Sequence, residues 1–332
     1  KHVRRIENEI WVLEKKKDYW NAGLPYLDGL EFYNLVPFSP ELGSAIISGR
    51  IDYGRVFDPV TLRRAKATPE ISGTLYNQSV IQGTYVNSKR KPLDDPRVRR
   101  AFHLALDRPV LIDVVKDVAP MRMGGFIYPF SEYATPPEEL AKRPGYQTDS
   151  TAAIKEARQL MAAAGYGNGA KGLDFLVRDL ASFRLWSQAM QAMLAQALNV
   201  EIKLRNVVES VWFDDVANGN FDLAIGAVVS TLLDPSDYFN AWYRTGGPQN
   251  YSGWSNPKFD ALADQIDREL DPAKRKALAR EAEVMFEADP PVLPIAWEQL
   301  ADIWYNYVKG HNPYNYFGAY DVTRWDMMWL DK

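Results

Sequence analysis

The sequence predicts an α/β protein of two lobes with mixed β-sheets, joined where the chain crosses between them twice. Three observations carry this reading. Residues 92–297 alternate helical and strand patterns in β-α-β order, which builds a mixed or parallel sheet with right-handed crossovers. Residues 1–88 and 298–332 share another grammar, of short strands, turns and aromatics. A length of 332 residues suits two domains of about 100–200 residues each. Lobe I is therefore assigned to 1–88 and 298–332, β-rich, and lobe II to 89–297, α/β. A chain that leaves one lobe and returns to it makes a two-strand hinge, the anatomy of a closing clamshell.

Ile10-Trp11-Val12-Leu13 is a short apolar run before the charged stretch 14–18. Residues 18–29, dense in Gly, Pro and aromatics, form a turn-rich loop. Residues 30–36 read as a strand, and 40–48 as a short helix closed by Gly49. Asp94-Asp95-Pro96 is a helix start, a capping Asp with Pro at the first helical position, and this helix is expected to reach Asp107. Asp149 or Ser150 caps the next, which buries Ala153, Ala157, Leu160, Met161 and Ala164 and stops at Gly165. Residues 173–177 are a strand, and Trp186, Ala189, Met190, Met193, Leu194 and Ala197 make a helical stripe. Val200, Ile202 and Leu204 alternate with Glu201, Lys203 and Arg205, a half-buried strand. A short helix at 209–218 precedes the almost wholly apolar run 221–229, which is expected to be central in a sheet. Asn256-Pro257 and Asp271-Pro272 start two further helices by the same cap-then-proline device. A strand at 292–297 leads to a loop-rich, aromatic tail at 305–332.

Composition excludes several classes. Lys plus Arg total 39 and Asp plus Glu 43, a net charge of −4, whereas nucleic-acid wrapping needs a basic face. Forty-six per cent hydrophobic and 25% charged residues is globular composition, not that of a disordered chain. No apolar run approaches the roughly 18–20 residues of a membrane span. Cysteine is absent, so neither a disulfide framework nor a thiolate metal site is possible. The 10 Trp, 18 Tyr and 14 Phe fit two readings, a large core or a cleft that grips ligands by stacking and by tyrosine hydroxyls. Lys1-His2-Val3-Arg4-Arg5 has no apolar h-region behind it, so no signal peptide is visible.

Enzyme signatures are missing: there is no Gly-x-Ser-x-Gly, no Walker loop and no His-Glu-x-x-His. His2, His103 and His311 are the three histidines, with no metal-ligand spacing between any two. Gly167-Asn168-Gly169-Ala170-Lys171-Gly172 matches Gly-x-Gly-x-x-Gly, but it follows a helix and precedes a strand, the reverse of a dinucleotide site, and reads as an αβ loop. Asp94 and Asp95 are explained by capping, while Asp214 and Asp215 point about 100° apart on a helix and cannot share a site. Lys89, Arg90 and Lys91 with Arg97, Arg99 and Arg100 form the strongest basic cluster, read as a solvated hinge and helix face or an anion-binding patch.

Asn87 is followed by Lys89-Arg90-Lys91-Pro92-Leu93-Asp94-Asp95, Val98-Arg99-Arg100-Ala101 and Ala105-Leu106-Asp107-Arg108. This run resembles the signature of the bacterial extracellular solute-binding proteins of family 5, the peptide- and nickel-type receptors of ABC importers. Further matches in order are Asp18-Tyr19-Trp20 with Pro25-Tyr26-Leu27-Asp28, Gly49-Arg50-Ile51-Asp52, the run 157–165, and Gly219-Asn220-Phe221-Asp222. Asn250 to Trp254, Asn256-Pro257 with Asp260, and Asp271-Pro272 with Arg275 complete them. The resemblance implies a periplasmic-binding-protein-like clamshell (type II, cluster C). It also implies that this chain begins partway through lobe I, because family members are longer at the N-terminus.

The implied function is capture of a peptide-like or other small solute in an interlobe cleft and its delivery to the permease subunits of an ABC importer, outside the cytoplasm. The implied protein is a monomer with no catalytic residue, cofactor, metal or nucleic-acid partner. Arg178, Phe183, Thr231, Asn250 and Trp254 are the expected ligand-binding residues, from segment ends and the resemblance. In the family's peptide receptors an Asp in a Trp-x-x-Asp-Tyr segment anchors the ligand's amine, since a buried ammonium needs a carboxylate partner. Here Thr231 stands at the Asp position and Val228 at the Trp position, which opens the alternative of a neutral, hydroxyl-rich or differently charged solute such as an oligosaccharide. Asp234 is close enough in sequence for a shifted loop to bring it in as the substitute. Two other classes stay open: a hydrolase using Asp or Glu on the same scaffold, and a truncated receptor lobe that acts as a protein-interaction module.

Overall fold

The computed structural model describes residues 1–7, 9–35, 40–56, 59–311 and 323–332. In chain order its strands and helices are β1 (His2–Ile6), β2 (Ile10–Glu14), β3 (Gly29–Tyr33), α1 (Pro40–Ile47), β4 (Tyr53–Val56), α2 (Pro59–Lys66), β5 (Ile71–Val86), α3 (Pro96–Leu104), α4 (Arg108–Asp113), β6 (Met121–Arg122), α5 (Pro137–Leu140) and α6 (Thr151–Ala163). They continue with β7 (Leu173–Arg178), α7 (Ala181–Leu198), β8 (Ile202–Val207), α8 (Glu209–Ala217), β9 (Leu223–Val229), α9 (Pro235–Tyr238), α10 (Pro257–Arg268), α11 (Pro272–Ala288), β10 (Val292–Tyr305), β11 (Val308–Lys309) and β12 (Trp329–Leu330). The chain divides into two compact units: unit one is Lys1–Gln78, Asp117–Pro120 and Gln299–Lys332, and unit two is Ser79–Lys116 and Met121–Glu298. The expected boundary at 88 lies downstream of this division, because β5 is one strand of 16 residues and its second half, from Val80, pairs with β9.

In unit one, β1, β2 and β3 form an antiparallel sheet. The strand expected at 30–36 is Gly29–Tyr33, and Val36 lies outside the described residues. A second core gathers Ile46, Val56, Leu62, Ala65, Ile71, Ala301 and Ile303 where β4 pairs with the end of β10. Beside it Asp302, fully buried, accepts from Tyr53 Oη at 2.6 Å and Arg55 Nε at 3.2 Å, so its charge is paired as a buried carboxylate requires. β10 extends well beyond the expected 292–297. Its polar residues Glu298, Gln299 and Asp302 hide the strand from an apolar-run reading. Of the tail, residues 312–322 lie outside the described residues.

In unit two the strand order is β10-β5-β9-β7-β8, with β5 and β9 antiparallel and β7 parallel to both its neighbours. The run Leu223 to Ile225 is wholly buried in β9 between β5 and β7, the central place that its apolar character on both faces predicts. Against one part of this sheet lies an aromatic core in which Phe286 contacts Phe126, Phe239, Tyr243, Trp254 and Phe259. Burial of each such ring stabilises the unit by about 1.5–3 kcal/mol.

Helix starts follow the caps. Asp95, Asn256 and Asp271 each accept backbone N–H bonds from the turn they open, with Pro next in sequence. The helix expected to run from 96 to 107 ends at Leu104, and α4 begins at Arg108. Pro109 explains the break: it has no N–H, and its ring clashes with the carbonyl four residues back. Asp107 therefore caps α4, accepting from Val110 N at 3.1 Å. The four arginines of the basic cluster are paired with carboxylates: Arg90 with Asp222, Arg97 with Asp95, Arg99 with Asp289 and Arg100 with Glu156. The Gly-rich segment 167–172 is a loop between α6 and β7, where Gly169 packs so close to the Asn199 carbonyl that no Cβ fits.

Candidate functional site

In an open α/β sheet, ligands favour the carboxyl ends of the parallel strands. In unit two that edge is formed by Arg178 at the end of β7, Val207 at the end of β8, and the segment 229–232 after β9. Ser230 N donates to Ser79 O, so in the antiparallel ladder the even residues of β9 turn their backbone groups to β5. Ala227 and Val229 therefore turn theirs the other way. On that side the β7 pairing reaches only Leu176↔Ala224. The outward carbonyls of Ala227 and Val229 are taken by side chains: Tyr85 Oη donates to Ala227 O at 2.6 Å, and Trp242 Nε1 donates to Val229 O at 3.0 Å. Tyr85 crosses β9 over Gly226, where an added Cβ would lie 2.8–2.9 Å from its ring.

The loop after β9 is organised by one carboxylate. Asp237 Oδ2 accepts from Thr231 N at 2.6 Å, Thr231 Oγ1 at 3.0 Å, Ser230 Oγ at 3.1 Å and Leu232 N at 3.3 Å. Asp234 is committed elsewhere. It caps α9 through Ser236 N at 2.9 Å and pairs with Arg275 Nη2 at 2.7 Å. The expected substitution of Asp234 at the Thr231 position is thus not what the loop does, because the Asp234-Pro235 pair is another helix start. Asp237 was missed in the sequence, although a signal exists. An acid three residues into a helix that opens with cap-then-Pro sits where side chains reach back over the preceding loop.

The five expected ligand residues fall into two groups. Arg178 ends β7, pairs with Glu209 at 2.7 Å, lies over the Phe213 ring, and has a buried Nε with no partner among the described residues. Thr231 is exposed in the loop just described. The other three have structural occupations. Phe183 is 5% exposed and packs near Trp186, while Trp254 is 1% exposed and donates to Asp289 Oδ2 at 2.8 Å. Asn250 closes its own turn, with Nδ2 donating to Arg244 O and Trp254 O. His103 is buried against Arg108, whose guanidinium donates to its Nδ1 at 3.0 Å; burial first, then Arg108 and Arg100, hold its pKa well below the usual value.

Glu298, half-buried at the end of unit two, faces Gln82, which donates from Nε2 at 2.9 Å. Burial pushes its carboxyl up to about 7, and Gln82 offsets only part of that. Unit one carries a groove of about 520 Å³ lined by Leu13, Phe32, Arg50, Tyr53, Trp325 and Met328, among others. None of the five expected ligand residues lies there.

Residues 2–250 match the family model for bacterial extracellular solute-binding proteins, family 5 (middle region). The periplasmic oligopeptide-binding protein OppA of Escherichia coli is 23% identical over 316 residues, which are 93% of this chain and 56% of OppA. The probable deoxycholate-binding periplasmic protein YgiS of Escherichia coli is 26% identical over 259 residues, 75% of this chain and 44% of YgiS. The chain thus spans about half the length of these curated relatives. Among solved structures, the periplasmic binding protein DppA of Helicobacter pylori, in complex with the peptide STSA, matches with a TM-score of 0.81 at 21% identity, covering 100% of this chain and 62% of that one. Its fold is that of periplasmic binding proteins, and the family and its relatives are binding proteins, not enzymes. The family match covers most of the chain, and this protein belongs to family 5 of the bacterial extracellular solute-binding proteins.

Proposed function

We propose that the protein is the solute-binding component of an ABC importer, working outside the cytoplasm, and that it takes a peptide-like solute along the outward edge of β9. The observation that carries this is the backbone of Ala227 and Val229, turned away from β5 beyond the last β7 partner. Because Tyr85 and Trp242 already hold the two carbonyls there, an extended peptide meets this edge with its own carbonyls, which accept from the Ala227 and Val229 amides, a main-chain mode that tolerates many side chains. Arg178, with its unpartnered buried Nε, and Thr231 are the ligand-facing residues of this reading. No bond is broken, and the captured solute passes to the permease subunits. OppA and DppA, named for peptides, support the solute class. YgiS, named for deoxycholate, supports the competing one, a non-peptide solute, which the Val228 and Thr231 replacements also favour. Native mass spectrometry of the protein with a pool of synthetic tri- to pentapeptides tests it: one-to-one adducts that disperse on denaturation are expected. Absence of any peptide adduct overturns the peptide reading.

A further inference from the structure

We infer that Tyr85 and Trp242 set the selectivity of the β9 edge: by holding the carbonyls of Ala227 and Val229 they leave it a row of donors, which selects a solute for its carbonyl oxygens and is indifferent to the N–H groups between them. The inference rests on the peptide reading above and deepens it. A bare strand edge shows both an N–H and a C=O from each outward residue. Here Tyr85 Oη holds Ala227 O at 2.6 Å and Trp242 Nε1 holds Val229 O at 3.0 Å. The amides of the same two residues lie beyond the last β7 partner. Both caps are fixed donors. An indole nitrogen only donates. Burial, then Tyr251 and Tyr243, raise the Tyr85 pKa well above its ordinary value, so the phenol keeps its proton. Neither ring is free to swing aside for a solute. Tyr85 is 2% and Trp242 6% exposed, their rings stack with centroids 6.0 Å apart, and Tyr85 lies pressed over Gly226. Residues two apart on a strand repeat at about 6.6 Å, and carbonyls at that repeat are what an extended peptide, or a chain with esters in place of amides, presents.

The test takes the best-captured peptide of the synthetic pool and its analogues in which one backbone amide at a time is an ester. Each is titrated against the native protein, Y85F and W242F. An ester removes one N–H and adds no bulk. Freeing Ala227 O in Y85F lets a facing N–H count. At one ester position the preference for amide over ester is therefore expected to rise about 3- to 10-fold above its native value, the size of a neutral hydrogen bond. W242F is expected to do the same through Val229 O, at a second ester position. The two variants act on separate carbonyls, so either one alone tests the inference. Amide-to-ester ratios that stay at their native values at every position in both variants, or that shift equally at all of them, overturn the inference and leave the peptide reading standing. Capture of no peptide by the native protein overturns both.

Discussion

Asp237 Oδ2 lies 3.0 Å from Thr231 Oγ1 and 2.6 Å from Thr231 N, so one side chain grips both the backbone and the hydroxyl of the residue that follows β9 by two positions. This relationship separates two roles that a single residue can hide. Asp237→Ala strips the Thr231 and Leu232 amides of a charged acceptor and is expected to cost about 1–3 kcal/mol. Thr231→Ala leaves both amides bonded and is expected to cost under about 1 kcal/mol. Urea midpoints of the two variants check the order.

Gly226 and Tyr85 make a second test. Gly226→Ala places a methyl 2.8–2.9 Å from a rigid, buried ring, which overpacking makes worth about 1–3 kcal/mol of lost stability. Tyr85→Phe removes only the donor to Ala227 O, at about 1 kcal/mol. In a Tyr85→Leu background the smaller, more adaptable side chain relieves Gly226→Ala, so the double variant is expected to be less destabilised than the sum of the two. Additivity in denaturant unfolding contradicts this contact.

Glu298 gives a signed pH dependence. Its folded carboxyl titrates at about 7 against an ordinary 4.5, so below about pH 4.5 it is neutral in both states and costs nothing. The penalty for holding it charged grows from there and is complete above about pH 7, at about 3 kcal/mol. Glu298→Gln is therefore expected to be more stable than the native protein at pH 8 and equal to it at pH 4.5. Equal stability at both values contradicts the burial account.

His103 works in the opposite window. Its folded pKa is depressed, by burial and then by Arg108 and Arg100, so its contribution is intact above the ordinary value of about 6.5 and lost as pH falls below it. Its ring resonances are expected not to titrate between pH 5.5 and 8 in the folded protein, as followed by NMR. A midpoint near 6.5 contradicts its packing against the Arg108 guanidinium.

Much of this was legible in the sequence. The cap-then-Pro pairs at Asp95, Asn256 and Asp271 announce their helices because a capping side chain and a missing N–H act within one turn. The apolar run in β9 announces a central strand for the same local reason. What was not legible depends on partners distant in sequence. β10 continues past Glu298 because it pairs with β4, whose Tyr53 and Arg55 satisfy the buried Asp302. Trp254 and Phe183 look like ligand grips in sequence and are core residues in space, since any aromatic fits either role until its neighbours are known. The division of labour between Asp234 and Asp237 depends on Arg275, 41 residues downstream of the first.

The central claim is that solute adds along the outward edge of β9. Hydrogen–deuterium exchange of the protein with and without a captured peptide reads that edge directly. The account predicts slower exchange at the Ala227 and Val229 amides, and in the loop through Thr231, when peptide is bound. Peptide binding that leaves these amides unchanged and protects another part of the chain contradicts it.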